Sequence, residues 1–127
     1  MALLINTIPI FSTDGMLSEQ LLAIEVAIQA YEICLNLYFP LLTKNMICAG
    51  LTDGGKGVCQ GSPLVMDNGR GNYVLIGIAS WGLTSVLPGL LGLTSALPGL
   101  PGVYVNVANY ADWISDIIGG AETCVAH

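Results

Sequence analysis

Charge is scarce in this chain, and positive charge is the scarcest. Only 9% of the 127 residues are charged, whereas roughly 25% are charged in an average soluble domain. Three basic residues, Lys44, Lys56 and Arg70, stand against nine acidic ones, so the net charge is −6. A nucleic-acid binder needs a basic surface to neutralise phosphates, so this balance excludes that class of function.

The sequence also lacks an uninterrupted apolar segment long enough to span a membrane. Residues 71–111 form the longest charge-free stretch, but three prolines and many glycines interrupt it. Residues 17–39 are apolar but carry three glutamates, which would be costly in lipid. No basic residue precedes the apolar stretch within residues 1–11, so a signal peptide is not predicted. With 54% hydrophobic residues, the composition excludes a disordered chain and predicts a buried, β-rich domain.

Several short segments have the composition of β-strands. They are rich in aliphatic and β-branched residues and end at glycine or polar turns. The predicted strands are residues 3–11, 45–50, 63–66, 73–81 and 102–107. The sequence DNGRG at 67–71 favours a tight hairpin, because Asn-Gly tolerates positive φ. Short antiparallel strands with glycine turns predict a β-barrel or a β-sandwich.

Two further segments have the spacing of helices. The first lies near residues 18–38, where polar residues recur at intervals of four, three and four and would line one narrow stripe. These residues are Glu25, Gln29, Glu32 and Asn36. Because the rest of the helix surface is apolar, the helix must be buried against the core or a partner. The second is a C-terminal helix capped by Asn109 and stopped by Gly119, with Trp113, Ile114, Ile117 and Ile118 on one face.

One internal repeat is present. The segment GLTSVLPGL at 82–90 recurs as GLTSALPGL at 92–100. Two copies are too few for a solenoid, which needs three or more units. A local duplication within a loop is the simpler interpretation, and a functional binding loop is the alternative.

Seven short motifs follow one another from residue 45 onward. They are NMICAG at 45–50, GGK at 54–56, CQG at 59–61, PLV at 63–65, GIASWG at 77–82, PGVY at 101–104 and YADWI at 110–114. In order and spacing they resemble the C-terminal half of a trypsin-like serine protease of the S1 family, with the chymotrypsin fold. The resemblance covers roughly residues 3–14 and 31–118.

The resemblance implies an all-β fold with a C-terminal helix, namely the second of the family's two β-barrels. The chain is then expected to be a single partial domain over residues 1–127. The family barrel has six strands, of which about five are predicted here, so we expect an incomplete barrel with two open edges. An inserted helix at about residues 15–30 and the duplicated loop at 82–100 are the expected additions.

The resemblance also implies a disulfide between Cys34 and Cys48, which are fourteen residues apart. A bridge of this span stabilises by about 3 kcal/mol in the loop-closure model, and a reduced pair is the alternative. Members of the family are secreted, so an extracellular location is expected, although no signal peptide is predicted. Cys59 is expected to be free or to pair with Cys124, because Ser95 stands where the family has its partner.

The catalytic residues of the family are mostly missing. Its histidine and aspartate lie on the first barrel, and the only histidine of this sequence is His127. Where the family reads CQGDSGGPLV, this chain reads CQGSPLV at 59–65, which leaves Ser62 as a remnant nucleophile. Pro63 has no N–H to donate to an oxyanion hole. We therefore expect a truncated copy without autonomous catalysis.

The substrate pocket of the family is better preserved. By resemblance, its floor lies at Gly57 and Val58, and its walls are Ser80, Trp81, Gly82 and Gly102. Gly57 carries no charge, so an apolar side chain is the expected occupant. No cofactor or metal site is predicted.

Two functions stay open at this point. The chain is either a serine endopeptidase family member that has lost peptide-bond hydrolysis, or a non-catalytic pseudoprotease fragment that binds a protein partner. Its partner is accordingly a polypeptide substrate or another protein, and self-association through exposed apolar surface is a further expectation.

Overall fold

The computed structural model describes residues 2–7, 22–50, 61–82 and 101–121. Within these ranges the chain forms six strands, two α-helices and a short 3-10 turn. The strands are β1 (Ala2–Thr7), β2 (Leu22–Ile28), β3 (Met46–Gly50), β4 (Pro63–Asp67), β5 (Tyr73–Trp81) and β6 (Gly102–Asn106). The α-helices are α1 (Tyr31–Tyr38) and α2 (Ala111–Ile118), and the 3-10 turn Val107–Tyr110 precedes α2.

The six strands form one antiparallel barrel. Their order is β1-β2-β3-β6-β5-β4, and pairing of β1 with β4 closes the barrel. The fold class expected from the sequence is confirmed: the described chain is mostly β, has the barrel of the trypsin-like fold and ends in a C-terminal helix.

The strand β2 is the main difference from the prediction. Of the helix expected near residues 18–38, the described part from residue 22 onward forms a helix only as α1, and residues 22–28 pair with β1 along their whole length. Ile24 and Val26 point into the core, 8% and 2% exposed, while Glu25 between them is exposed. This alternation is that of a half-buried strand. The inserted helix at 15–30 is therefore wrong over these residues, and so is the expectation of five strands with two open edges.

The core consists of two clusters of buried side chains. One fills the barrel and contains Ile24, Val26, Ala49, Leu64, Ala79 and Tyr104. The other lies where α1 packs against β3 and β6, and it contains Cys34, Tyr38, Leu42, Cys48 and Val103. The barrel interior is tight at Gly77, where an added Cβ would lie 3.2 Å from the Cβ of Tyr104. By contrast, α2 has no buried residue.

The predicted hairpin turn and helix caps can be compared with the observed ends of β4 and α2. The hairpin between β4 and β5 is confirmed: Gly69 has φ +81°, and its N–H donates to Oδ1 of Asp67 at 2.8 Å. Gly119 ends α2 with φ +59°, as expected of a C-terminal glycine. Asn109 is not the N-cap. Its side-chain amide donates to the carbonyl of Lys44 at 2.9 Å, and α2 begins after Tyr110 without a side-chain cap.

Some predictions fall outside the described residues. These are the pocket floor at Gly57 and Val58, the cysteines Cys59 and Cys124, His127, and the repeat beyond Gly82. Among the helices that are described, none combines the length and the apolar character that crossing a membrane requires.

Candidate functional site

Five of the predicted site residues lie at one end of the barrel. Ser62 immediately precedes β4, residues 80–82 end β5, and Gly102 begins β6. Because neighbouring strands are antiparallel, the start of β4, the end of β5 and the start of β6 share this end. The end of β5 lies between the other two, so it separates Ser62 from Gly102. We call residues 80–82 and Gly102 the strand-end wall.

Ser62 is part of the sheet. Its side chain is buried, with the residue only 2% exposed. The N–H of Ala79 donates to the carbonyl of Ser62 at 2.8 Å, and the N–H of Gly61 donates to the carbonyl of Ala79 at the same distance. These bonds extend the β4–β5 ladder by one residue. Oγ of Ser62 has no hydrogen-bond partner in the described part of the chain.

Among the described residues, no group that would activate a nucleophile lies beside Ser62. Pro63, the next residue, pairs with Ile78 in the ladder and has no N–H to offer an oxyanion. The described ranges contain no histidine, since His127 lies beyond them. Gly61, with φ +88°, makes the turn that leads the chain into β4. The local backbone thus directs the hydroxyl into the protein interior.

Trp81 is the largest side chain of the strand-end wall. It is half-buried, and a register shift between Ala79 and Trp81 places it opposite Val103 of β6. The ring of Tyr38 meets it edge to face, with ring centroids 5.1 Å apart and an interplanar angle of 77°. Edge-to-face pairs of this kind contribute about 0.5–1.5 kcal/mol beyond burial. The orientation of Trp81 is therefore supported from α1.

Tyr38 is a positioning residue that the sequence analysis missed. Besides its contact with Trp81, its hydroxyl donates to the carbonyl of Pro101, the residue before Gly102. One buried side chain thus holds both parts of the strand-end wall. The helical pattern placed Tyr38 on an apolar helix surface, and no spacing in a single sequence distinguishes a tyrosine that packs from one that positions.

The end of β3 approaches the same region closely. A Cβ on Gly50 would lie 2.9 Å from Cα of Pro101, a separation that real Cβ atoms essentially never show. A glycine at the end of the NMICAG motif therefore allows Pro101 to pack against the backbone of β3. This contact helps to place the first residue of β6.

The predicted disulfide is confirmed. Cys34 of α1 is bonded to Cys48 of β3, and the two residues are 1% and 2% exposed. Both belong to the same buried cluster as Tyr38 and Val103. The covalent link thus fixes α1 against the barrel directly behind Trp81, which also packs against this cluster.

Comparison with known proteins agrees with this geometry. The family model described as Trypsin matches residues 5–114. Trypsin eta of Drosophila melanogaster is 41% identical over 106 residues, which cover 80% of this chain and 35% of that protein. Trypsin II-P29 of Gallus gallus is 40% identical over 79% of this chain and 36% of its own length.

A relative that is not named as a trypsin is similar over a shorter stretch. The proclotting enzyme of Tachypleus tridentatus is 40% identical over 72% of this chain and 21% of its own length. The chain therefore spans about a third of the length of the trypsins that it matches, and less of the proclotting enzyme.

Proposed function

Because the chain belongs to the trypsin family of serine proteases, we propose that it binds polypeptide at the strand-end wall without hydrolysing it. Members of this family act on polypeptides, so the class of partner follows from membership. The loss of hydrolysis follows from one residue. Ser62 is the only serine in the shortened nucleophile motif, and it is 2% exposed.

Acyl transfer makes three demands that Ser62 does not meet. Its Oγ would have to reach a substrate carbonyl carbon, yet it lies inside the protein. A general base would have to lie within about 2.6–3.2 Å of Oγ, and Oγ has no such neighbour among the described groups. Backbone N–H groups would have to surround the developing oxyanion, and Pro63 offers none.

Unlike the surroundings of Ser62, which do not suit catalysis, the strand-end wall suits the binding of a peptide. Trp81 presents a half-buried ring held by Tyr38, and its neighbours Gly82 and Gly102 are buried residues without side chains. An aromatic wall next to glycines suits an apolar side chain of an extended peptide. The pocket floor expected at Gly57 and Val58 carries no charge, which supports the same class of ligand.

An extracellular location is part of the proposal. The buried disulfide between Cys34 and Cys48 supports it, because disulfides persist in oxidising compartments and are rare in the cytosol.

The experiment has two arms on the full chain. In the first, a fluorophosphonate probe is added in excess, and mass spectrometry reads modification at Ser62. We expect none, while active trypsin as the positive control is labelled fully. Modification of Ser62 in the folded chain would overturn the loss of hydrolysis.

The second arm measures binding. Trp113→Phe leaves Trp81 as the only tryptophan, so its emission reports on the strand-end wall. We expect acetyl-Ala-Ala-Leu-amide to shift this emission saturably, and acetyl-Ala-Ala-Lys-amide to shift it less. The same titration of Trp81→Phe, which retains Trp113, is the matched control and should show no change. An emission of Trp81 that is insensitive to both peptides would contradict polypeptide binding at this wall.

A further inference from the structure

A cavity of about 360 Å³ lies between the start of α1, the strand β3 and the end of β6. Its volume is within the range of about 300–1,000 Å³ that small-molecule sites occupy. None of the residues that line it belongs to the strand-end wall, and Ser62 is not among them either. It is therefore a separate candidate site.

The floor of this cavity is apolar and rigid. Leu42 is 5% exposed, and the disulfide between Cys34 and Cys48 forms the base. Met46 and Ile47 of β3 add partly buried aliphatic surface. Because the disulfide joins α1 to β3, the two elements that form the walls are covalently tied. The cavity is thus formed before any ligand binds.

The rim carries one charge of each sign. Glu32 lies on α1 and Lys44 lies before β3, and both are exposed. Neither forms an ion pair with the other or with any other described group. The amide side chains of Gln29 and Asn106 complete the polar rim. Lys44 is one of only three basic residues in the chain, and it lines this cavity together with the carboxylate of Glu32.

We propose that this cavity binds a short peptide, two or three residues long, with apolar side chains and free termini. The apolar side chains would pack on the floor, the α-carboxylate would face Lys44 and the α-ammonium would face Glu32. An anionic ligand would be repelled by Glu32 and a cationic one by Lys44. A neutral apolar ligand would displace water from both charged groups without offering either of them a new polar partner. Extended peptides span about 3.3–3.6 Å per residue, so two or three residues can bridge a cavity of this size.

The test uses leucyl-leucine and the ¹⁵N-labelled full chain. We expect a saturable shift of the amide resonances of Met46 and Ile47 on titration. The doubly blocked analogue, acetyl-Leu-Leu-amide, carries the same side chains without charged ends and should bind more weakly. Glu32→Gln and Lys44→Met should each weaken leucyl-leucine binding about two- to fivefold, the range expected for an exposed ion pair.

Two matched variants control for the loss of charge. Arg70→Met removes a positive charge at the exposed β4–β5 hairpin, and Asp112→Asn removes a negative charge on α2, so both should leave the affinity unchanged. Equal affinity of the blocked and free peptides would overturn the proposal, as would a Lys44→Met effect no larger than that of Arg70→Met. Shifts confined to Trp81 and Gly82 would also overturn it, since they would place the peptide at the strand-end wall instead.

Discussion

Ser62 takes part in the hydrogen bonding of the sheet through its backbone, but its side-chain hydroxyl has no partner among the described residues. The carbonyl of Ser62 accepts from Ala79, whereas Oγ is buried and unbonded among the described residues. A buried hydroxyl without a hydrogen bond costs about 1–3 kcal/mol. The hydroxyl of Ser62 therefore lowers the stability of this barrel.

This cost makes a prediction about stability. Ser62→Ala should raise the free energy of unfolding by about 1 kcal/mol, because the methyl side chain fits the same space and needs no partner. The measurement is the urea midpoint of the full chain at an unchanged m-value. Ser115→Ala on the exposed surface of α2 is the control, and it should stay within about 0.5 kcal/mol of the parent. A loss of stability in Ser62→Ala would mean that Oγ makes a favourable bond.

At the residue scale, the sequence was informative where motifs carried chemistry. It located the disulfide from the spacing of Cys34 and Cys48 within a family pattern, and it predicted β5 from YVLIGIASW. It could not locate Tyr38, because the role of this side chain depends on contacts with Trp81 and Pro101, both more than forty positions along the chain.

At the element scale, β2 shows how one spacing can fit two structures. The polar residues Glu25, Gln29, Glu32 and Asn36 have helical intervals, but only the last two lie in α1. Within residues 22–28 a second pattern competes, since Ile24, Val26 and Ile28 alternate with Ala23, Glu25 and Ala27. Pairing with β1 and β3 favours the strand, because it buries Ile24 and Val26 in the barrel. Period-two alternation was the signal that could have identified it.

The assignment of β2 can be tested with one pair of substitutions. Val26 is 2% exposed and Ala23 is exposed, although both lie on the same strand. Val26→Asp should unfold the chain, because an unpaired carboxylate in the barrel core costs several kcal/mol. Ala23→Asp should change the free energy of unfolding by less than about 1 kcal/mol.

Circular dichroism and urea titration of both variants give the measurement. Equal stabilities would contradict an inward-facing Val26. The milder variant Val26→Ala keeps the comparison informative if Val26→Asp does not fold at all. It should lower the free energy of unfolding by about 1–3 kcal/mol through the loss of buried methyl groups.

At the scale of the whole molecule, the low charge of the chain is accompanied by exposed apolar side chains. The barrel closes and buries its own interior, yet several large apolar side chains of the described residues are exposed. On α2 these are Trp113, Ile114, Ile117 and Ile118, and on β5 they include Tyr73, Leu75 and Ile78. The sequence predicted the apolar face of α2 from its spacing. It could not show that the described barrel leaves this face uncovered, because burial depends on which elements meet across the fold.

The apolar face of α2 leads to a prediction about association. Trp113 and Ile117 are 62% and 67% exposed and lie one helical turn apart. A patch of this kind favours contact between molecules, since burial gains about 25 cal/mol per Å² of apolar surface. We therefore expect the full chain to associate with increasing concentration, and the double variant Trp113→Lys, Ile117→Lys to shift it toward the monomer. Sedimentation equilibrium at micromolar concentrations gives the measurement.

The control for this prediction separates hydrophobic contact from charge. Ala111→Lys with Ser115→Lys adds the same two positive charges to the opposite face of α2, so both double variants change the net charge from −6 to −4. Only the variant at Trp113 and Ile117 should reduce association, because only it removes apolar surface. Equal effects of the two variants would assign the association to net charge, and a parent chain that stays monomeric at all concentrations would contradict the exposed face as a contact surface.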